Sequence, residues 1–226
     1  MDKQMKRVRN WVFVSLIFSF TQANASLLST FDSDAEGWWV TSGARNGMWN
    51  SSGGNPGGYI SAEDGLLNDD WYAGSPTSWA GDWSSYIGGV ISFDLIDLKQ
   101  DPADQILAGA HGTYYADPWE VVIVMDSNNR VRWNGDVQPL MTGWTHFEIP
   151  LLESTANLAP SSTESFATIM SNVHHVLVRG EYYHLDDKTG LDNVAVNAVP
   201  ESATLALMGL GLAGMATLRR RSKKIA

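Results

Sequence analysis

The chain has 226 residues, no cysteine, 15 basic and 25 acidic side chains, and 44% hydrophobic residues. The lack of cysteine excludes a disulfide framework and cysteine-based zinc or iron–sulfur sites, and ten tryptophans bring too much apolar surface for a disordered chain. Between Ser26 and Val199 stand 23 acidic and 6 basic residues, and this net charge of −17 disfavours nucleic-acid binding.

The amino-terminal segment predicts export. Residues 3–9 are basic, residues 11–20 are apolar, and the small-residue sequence Ala-Asn-Ala at 23–25 fits cleavage after Ala25. Ten apolar-rich residues are too few to span the roughly 30 Å of bilayer hydrocarbon, although an uncleaved anchor is the alternative. We therefore expect a signal peptide over residues 1–25, export through the Sec pathway and a mature chain that begins at Ser26.

Short apolar runs separated by turn residues fill the middle of the chain and predict an all-β domain over residues 26–198. One run, at 121–124, is unbroken, which is typical of a central strand covered on both faces. A single helix is expected around residues 163–171, with Ser162 or Thr163 as its cap. Strands are expected at 27–31, 38–41, 58–61, 71–73, 89–95, 119–125, 131–133, 144–149, 173–180 and 193–196. About ten strands at this spacing predict an antiparallel β-sandwich.

Ordered blocks across this domain resemble the laminin B module, also called laminin domain IV type A. The blocks are Phe31-Asp32, Glu36-Gly37-Trp38, 57–60, 71–76, 81–82, 86–89, 92–95, 143–144, 178–183 and 190–194, and they span roughly residues 30–197. The resemblance implies an extracellular, jelly-roll-like β-sandwich of the galactose-binding or carbohydrate-binding-module kind. It implies no catalytic residue set.

Acidic residues at both ends of the domain predict a calcium site. Asp32, Asp34 and Glu36 alternate near its start, and Asp192 lies in its last strand. The first and last strands of carbohydrate-binding sandwiches are often neighbours, and Ca²⁺ prefers carboxylate and carbonyl oxygens. The spacing is not that of an EF-hand, and the alternative is an acidic loop whose aspartates form turns.

Nine tryptophans lie in the mature domain, and aromatic faces beside polar side chains are a common means of binding sugars. Tryptophans in expected strands are assigned to the core. Trp49, Trp79 and Trp83 fall in expected loops, where binding residues are common. We expect these three to be exposed and to bind glycan together with Asp82 and Tyr86.

The sequence offers no recognisable catalytic set. Its five histidines form no H-E-x-x-H motif, and it has no G-x-S-x-G nucleophile elbow. Carboxylate pairs such as Glu120 with Asp126, or Asp94 with Glu148, are candidates for the two catalytic carboxylates of a glycosidase. Sequence alone does not give the distance between the two carboxylates of either pair. We expect a non-enzymatic protein, with a secreted carbohydrate-active hydrolase and a purely structural matrix protein as alternatives.

The last 28 residues form a tripartite tail. Val199, Pro200 and Glu201 are followed by sixteen uncharged residues at 203–218 and then by a basic cluster that includes Arg219, Arg220 and Arg221. In a helix, sixteen residues cover about 24 Å, slightly less than a typical membrane span. A single transmembrane helix is expected at 203–218, with the basic end in the cytoplasm and the domain outside.

Residues 198–224 resemble the PEP-CTERM sorting signal of Gram-negative bacteria. The resemblance implies that an exosortase, a cysteine-dependent transpeptidase of the inner membrane, recognises Val199, Pro200 and Glu201. Such sorting delivers the domain to the cell surface or extracellular matrix, often in bacteria that make exopolysaccharide. Ser202 replaces the second proline of the family pattern. The alternative to sorting is that the tail is a permanent membrane anchor. The combined expectation is an exported surface protein that binds glycan or exopolysaccharide, or acts in adhesion.

Overall fold

The computed structural model describes residues 26–41, 43–64, 71–99, 119–135, 137–182 and 188–198. The predicted signal peptide, sorting motif, membrane segment and basic tail lie outside these ranges. Within them, no helix is long and apolar enough to cross a membrane. The strands are β1 (Ser26–Ser29), β2 (Trp39–Val40), β3 (Ala44–Asn50), β4 (Tyr59–Asp64), β5 (Tyr72–Gly74), β6 (Val90–Lys99), β7 (Val121–Val124), β8 (Arg130–Trp133), β9 (Thr145–Pro150), β10 (Asn157–Leu158), β11 (His175–Arg179) and β12 (Lys188–Asn197).

Two antiparallel sheets of six strands each face one another. The first sheet has the order β3-β4-β12-β6-β9, and β1 also pairs with β12. The second has the order β10-β8-β7-β11-β5-β2. The prediction of an all-β, two-sheet antiparallel sandwich is confirmed.

The core fills the space between the sheets and follows from side-chain alternation. On β6, Ile91, Phe93 and Leu95 are fully buried and face inward. On β7 all four residues are buried, as expected for a strand that lies between two others and is covered on both faces. The inward-facing side chains that this alternation supplies therefore hold the two sheets together.

The helix and two strands differ from the sequence expectation. The helix α1 (Phe166–Met170) forms where predicted, but its cap is Ser165, whose Oγ accepts a hydrogen bond from the Thr168 amide at 3.2 Å. Strand β3 was expected to be a loop, and β10 was not predicted. Most residues of β3 are exposed, so this edge strand lacks the apolar alternation by which strands are recognised.

Candidate functional site

One row of side chains crosses the outer face of the second sheet. Strand pairing aligns Arg132 of β8, Val122 of β7, Leu177 of β11, Gly74 of β5 and Trp39 of β2. The sequence neighbours of these residues pack in the core. Because successive side chains of a strand point to opposite faces, the row points away from the core.

Trp39 forms an aromatic platform at one end of this row. Its indole lies over Gly74, where any Cβ would clash with the ring. The indole Nε1 donates to the Ser75 carbonyl oxygen at 3.2 Å, and the ring meets His175 edge-on at 5.6 Å between centroids. The side chain is held by Gly74 beneath the ring and by Ser75 and His175 beside it, yet Trp39 is 43% exposed.

A groove of about 370 Å³ occupies the other end of the row. We call it the arginine groove. Its floor and walls on the sheet are Tyr72, Trp119, Val122, Arg130, Arg132 and Leu177, and its rim is Ser127 with residues 159–161.

The rim is built from hydrogen bonds between side chains and backbone. Asp126 Oδ1 accepts from the amides of Asn128 and Asn129 at 2.8 and 2.9 Å, which closes the turn between β7 and β8. Asn129 Oδ1 in turn accepts from the amides of Thr163 and Glu164 at 2.9 and 3.1 Å. Hydrogen bonds from Asn129 are the main reason that the pKa of Asp126 lies below its ordinary value. The two segments of the rim are therefore fixed to each other.

Two arginines define the chemistry of the groove. Arg132 stacks its guanidinium over the Trp119 ring at 4.5 Å and is only 8% exposed. Arg130 is half-buried and donates from Nη2 to the Ser127 carbonyl oxygen at 3.0 Å. These contacts orient both planar guanidinium groups before any ligand arrives.

The neighbouring His175 is biased toward its neutral form. Burial lowers its pKa first, and the positive charges of His174 and Arg130 lower it further. At neutral pH the imidazole therefore offers one donor and one acceptor beside Trp39.

A buried ion pair closes the far end of the same face. Glu120 and Arg179 are fully buried, with Oε1 and Nη1 3.9 Å apart, and the Arg179 guanidinium also lies 5.5 Å from the Tyr182 ring centroid. Burial and the Glu120 carboxylate raise the pKa of Tyr182 well above its ordinary value. Glu120 and Asp126 stand at opposite ends of β7, roughly 20 Å apart along an extended strand, too far for a glycosidase pair.

The outer face of the first sheet carries a closed polar network. Asp94 contacts His146 Nδ1 at 2.6 Å and accepts from the side-chain amides of Asn55 and Asn193 at 3.1 and 2.8 Å. Asp192 accepts from the backbone amides of Asn55 and Asn193 at 2.6 and 2.7 Å. The network fixes the loop at residues 51–58 onto the sheet.

The second carboxylate pair considered from sequence belongs to this network. His146 contacts Asp94 through Nδ1 and lies 3.7 Å from Glu148 Oε1 through Nε2. The imidazole therefore stands between the two carboxylates. That position is where a scissile sugar bond would need to lie.

The four predicted calcium ligands are not assembled. Glu36 accepts hydrogen bonds from the backbone amides of residues 30 and 31, and Asp34 accepts one from the Glu36 amide. Asp32 and Asp192 do interact: burial raises the pKa of Asp192 to about 6, and the charges of Asp94 and Asp32 add to the rise. Among the described residues, no three His, Asp or Glu side chains are placed to hold a metal ion.

Calcium binding itself stays a prediction. An ion present at 100 times its dissociation constant would stabilise the fold by about 2.7 kcal/mol. A melting temperature that is the same in excess calcium and in chelator would contradict it.

The expected exposure of Trp79 and Trp83 is wrong. They are 4% and 2% exposed, and Tyr86 is 6% exposed, because two 3₁₀ helices (Thr77–Trp79 and Ser84–Tyr86) turn these rings inward. The rings form a series with centroid distances of 5.2 to 6.3 Å that begins at Trp38, in which the first and last pairs meet edge-to-face and the Trp79–Trp83 pair is tilted. Trp83 Nε1 donates to the Trp79 carbonyl oxygen at 2.8 Å. This cluster belongs to the core.

The other two predicted glycan contacts lie elsewhere. Trp49 is in strand β3, not in a loop, and its half-buried indole donates to the Phe31 carbonyl oxygen at 2.7 Å. Asp82 is exposed, and it accepts a hydrogen bond from the Ser84 amide at 2.8 Å. The structure does not bring the five predicted residues together on one open surface.

Sequence reasoning missed the residues that the outer face of the second sheet presents. Trp38 directly precedes β2, whose first residue is Trp39, so a core position for Trp38 points Trp39 outward by alternation. Arg130 and Arg132 likewise flank Val131, which is fully buried. Alternation was the signal that could have identified all three.

Comparisons with known proteins bear on the tail and on the sandwich separately. Residues 198–221 match the PEP-CTERM protein-sorting motif, which confirms the resemblance of the tail. The motif indicates an exported protein that is sorted to the cell envelope or surface by an exosortase-like system. The match includes the predicted motif and basic residues Val199, Pro200, Glu201, Arg219, Arg220 and Arg221. No curated protein is significantly similar in sequence.

Solved structures share the sandwich. The family 11 carbohydrate-binding module of a cellulosomal cellulase from Clostridium thermocellum is 17% identical, with a TM-score of 0.51 over 80% of this chain and 98% of that chain. An exo-β-agarase is 12% identical, with a TM-score of 0.50 over 76% of this chain and 25% of that chain. The L4b domain of human laminin α-2 is 15% identical, with a TM-score of 0.46 over 62% of this chain and 80% of that chain. The sandwich of this chain resembles that of the carbohydrate-binding modules in fold.

Proposed function

We propose that this chain is a non-enzymatic glycan-binding protein of the cell envelope or extracellular matrix. Its ligand site is the part of the outer face of the second sheet that is formed by Trp39 and the arginine groove. The observation that carries the proposal is the exposed indole of Trp39, which lies over Gly74 in one row with Arg132. A rigid aromatic face beside fixed polar groups can stack on a sugar ring and hydrogen-bond its substituents.

The shared fold supports this proposal. The family 11 module from Clostridium thermocellum has been determined in complex with a β-1,3-1,4-mixed-linked tetrasaccharide, and its TM-score with this chain is 0.51. We infer that the outer face of the second sheet of this chain also binds a glycan, with its own side chains setting the choice of sugar.

The tail would deliver the module. In this proposal, the chain enters the Sec pathway of a Gram-negative bacterium and is held at the inner membrane by residues 203–218. An exosortase then cuts near Val199, Pro200 and Glu201, and the released domain attaches to exopolysaccharide or acts in adhesion. Intact-mass spectrometry of the surface protein tests this step, since a carboxyl terminus at or beyond Lys224 would contradict processing.

Binding by the full chain, purified in mild detergent, tests the proposed function. Bacterial exopolysaccharide should be retained by the chain, and Trp39→Ala should abolish retention. Trp144→Ala is the matched control, because Trp144 directly precedes β9 of the other sheet, and its Nε1 donates to the Gly53 carbonyl oxygen at 2.9 Å. Release of reducing ends during the assay would favour a hydrolase. Retention that is unaffected by Trp39→Ala would contradict the assignment of the site.

A further inference from the structure

The arginine groove concentrates positive charge in a strongly acidic domain. Only six basic residues stand between Ser26 and Val199, against 23 acidic ones. Arg130, Arg132 and Arg179 all lie on the outer face of the second sheet, and the first two line the groove. None of the described residues that line the groove is a carboxylate. The described lining of the groove is therefore positively charged, in a domain whose net charge is negative.

The geometry of the two guanidinium groups suits a repeating anion. Arg130 and Arg132 are two positions apart on β8, so they project from the same face roughly 7 Å apart along the strand. Arg132 is 8% exposed and fixed against Trp119, while Arg130 has its buried Nε without a hydrogen-bond partner in the described part of the chain. A guanidinium presents paired donors that match a carboxylate or sulfate group.

The surroundings of the groove favour an anion over a cation. Arg130 is aligned with His175 across Val124 of β7, and its positive charge contributes, after burial and His174, to the lowered pKa of His175. The buried Glu120 is paired with Arg179 at the far end of the face. Asp126, the acidic residue nearest Arg130 in sequence, is engaged by the amides of Asn128 and Asn129.

We infer that the groove binds an anionic polysaccharide, one whose sugars carry carboxylate or sulfate groups. Arg130 and Arg132 would hold the charged substituents, and Trp39 would stack on a neighbouring sugar ring. This inference rests on the proposed function and specifies the chemical class of its ligand. The negative charge of the rest of the domain would repel such a polymer everywhere except at this face. The polymer would therefore bind in one defined position.

The test compares acidic glycans with their neutral counterparts. The full chain in mild detergent is titrated with an oligogalacturonate, a sulfated galactan and a panel of bacterial acidic polysaccharides. Each is paired with its carboxyl-reduced or desulfated form. We expect the acidic form of at least one pair to bind at least tenfold more tightly than its neutral form. The member of the panel that binds distinguishes carboxylate from sulfate as the recognised group.

Arginine variants assign this preference to the groove. Arg130→Gln and Arg132→Gln should each weaken binding of the acidic form about tenfold or more, and Arg130→Lys should weaken it less because it keeps the charge. Arg45→Gln is the matched control, since Arg45 lies on β3 of the first sheet and its loss changes the net charge equally. Thermal melts of each variant confirm that it is folded.

The outcomes separate this inference from the proposed function. If neutral forms bind as tightly as acidic ones, and if Trp39→Ala abolishes binding while the arginine variants do not, the anionic specificity is overturned and glycan binding stands. If no glycan of either form binds, both are overturned. If Arg45→Gln weakens binding as much as Arg130→Gln does, general charge and not the groove is responsible, and the inference falls.

Discussion

The outer faces of the two sheets use polar side chains in opposite ways. On the first sheet, Asp94 and Asp192 are buried and bind the loop at residues 51–58 through Asn55. On the second sheet, Trp39 is 43% exposed, and Arg130 and Arg132 line a groove of about 370 Å³. One face is closed by its own loop, and the other presents Trp39 and the arginine groove.

This difference separates the side chains that stabilise the fold from those that can recognise a ligand. A buried carboxylate whose oxygens accept several protein hydrogen bonds has little capacity left for a ligand, and its removal destabilises the fold. A side chain that is held by one or two contacts and still faces solvent costs little to remove but can contribute to binding. Mutations on the two faces should therefore affect different properties.

The largest effect is expected from the core between the faces. Trp83 is 2% exposed and packs in the series of aromatic rings. Trp83→Ala should lower the free energy of unfolding by about 4 kcal/mol, because a large side chain is replaced by a cavity. Chemical denaturation measures this loss, and Trp83→Phe, which keeps most of the volume, should lose less. A loss below about 1 kcal/mol would show that Trp83 is a surface residue after all.

Asp94→Ala tests the closed face. Three donors, from His146, Asn55 and Asn193, would lose their acceptor, and we expect the free energy of unfolding to fall by about 3 kcal/mol. Glu148→Ala is the control on the same sheet, because its side chain is 65% exposed, and it should change stability by less than about 0.5 kcal/mol. Ligand binding by the folded Asp94→Ala protein should be unchanged. Equal losses for the two variants would remove the distinction between a closed network and an ordinary surface.

The closed face should also respond to pH. Burial and neighbouring carboxylates raise the pKa of Asp192 to about 6, above its ordinary value, so the folded state holds this proton more tightly than the unfolded state. The stabilisation is complete below about pH 4 and is lost as pH rises through 6, on the order of 2 kcal/mol. Urea denaturation between pH 4 and 7.5 should show this loss relative to Asp192→Asn, which cannot ionise. Parallel pH curves for the two proteins would contradict it.

The sequence predicted the sandwich because burial within a strand follows a local period. Ile91, Phe93 and Leu95, and the unbroken run at 121–124, are recognisable without knowing their partners. Edge strand β3 could not be found in this way, since most of its residues face solvent. It is a strand because it pairs with β4, the next strand along the chain, and that pairing leaves no apolar alternation in β3 itself.

The site was harder to predict for the same reason. A position between strands indicated exposure for Trp79 and Trp83, but the 3₁₀ helices that carry them fold into the core. Alternation could have placed Arg130 and Arg132 on one face of β8, yet the rim of the groove comes from residues 159–161, about thirty positions away. Where a groove forms depends on contacts between distant segments.

The smallest change in stability, and the clearest change in binding, is expected at Trp39. Because the side chain is 43% exposed, Trp39→Ala should lower the free energy of unfolding by less than about 1 kcal/mol while weakening glycan binding roughly tenfold or more. Gly74→Ala should have a similar effect on binding, since its Cβ would displace the indole that lies over it. If the two residues form one platform, the double variant should bind no worse than Trp39→Ala alone. Additive losses in this double-mutant cycle, measured by calorimetry, would show that Gly74 acts independently and that the platform is not the binding element.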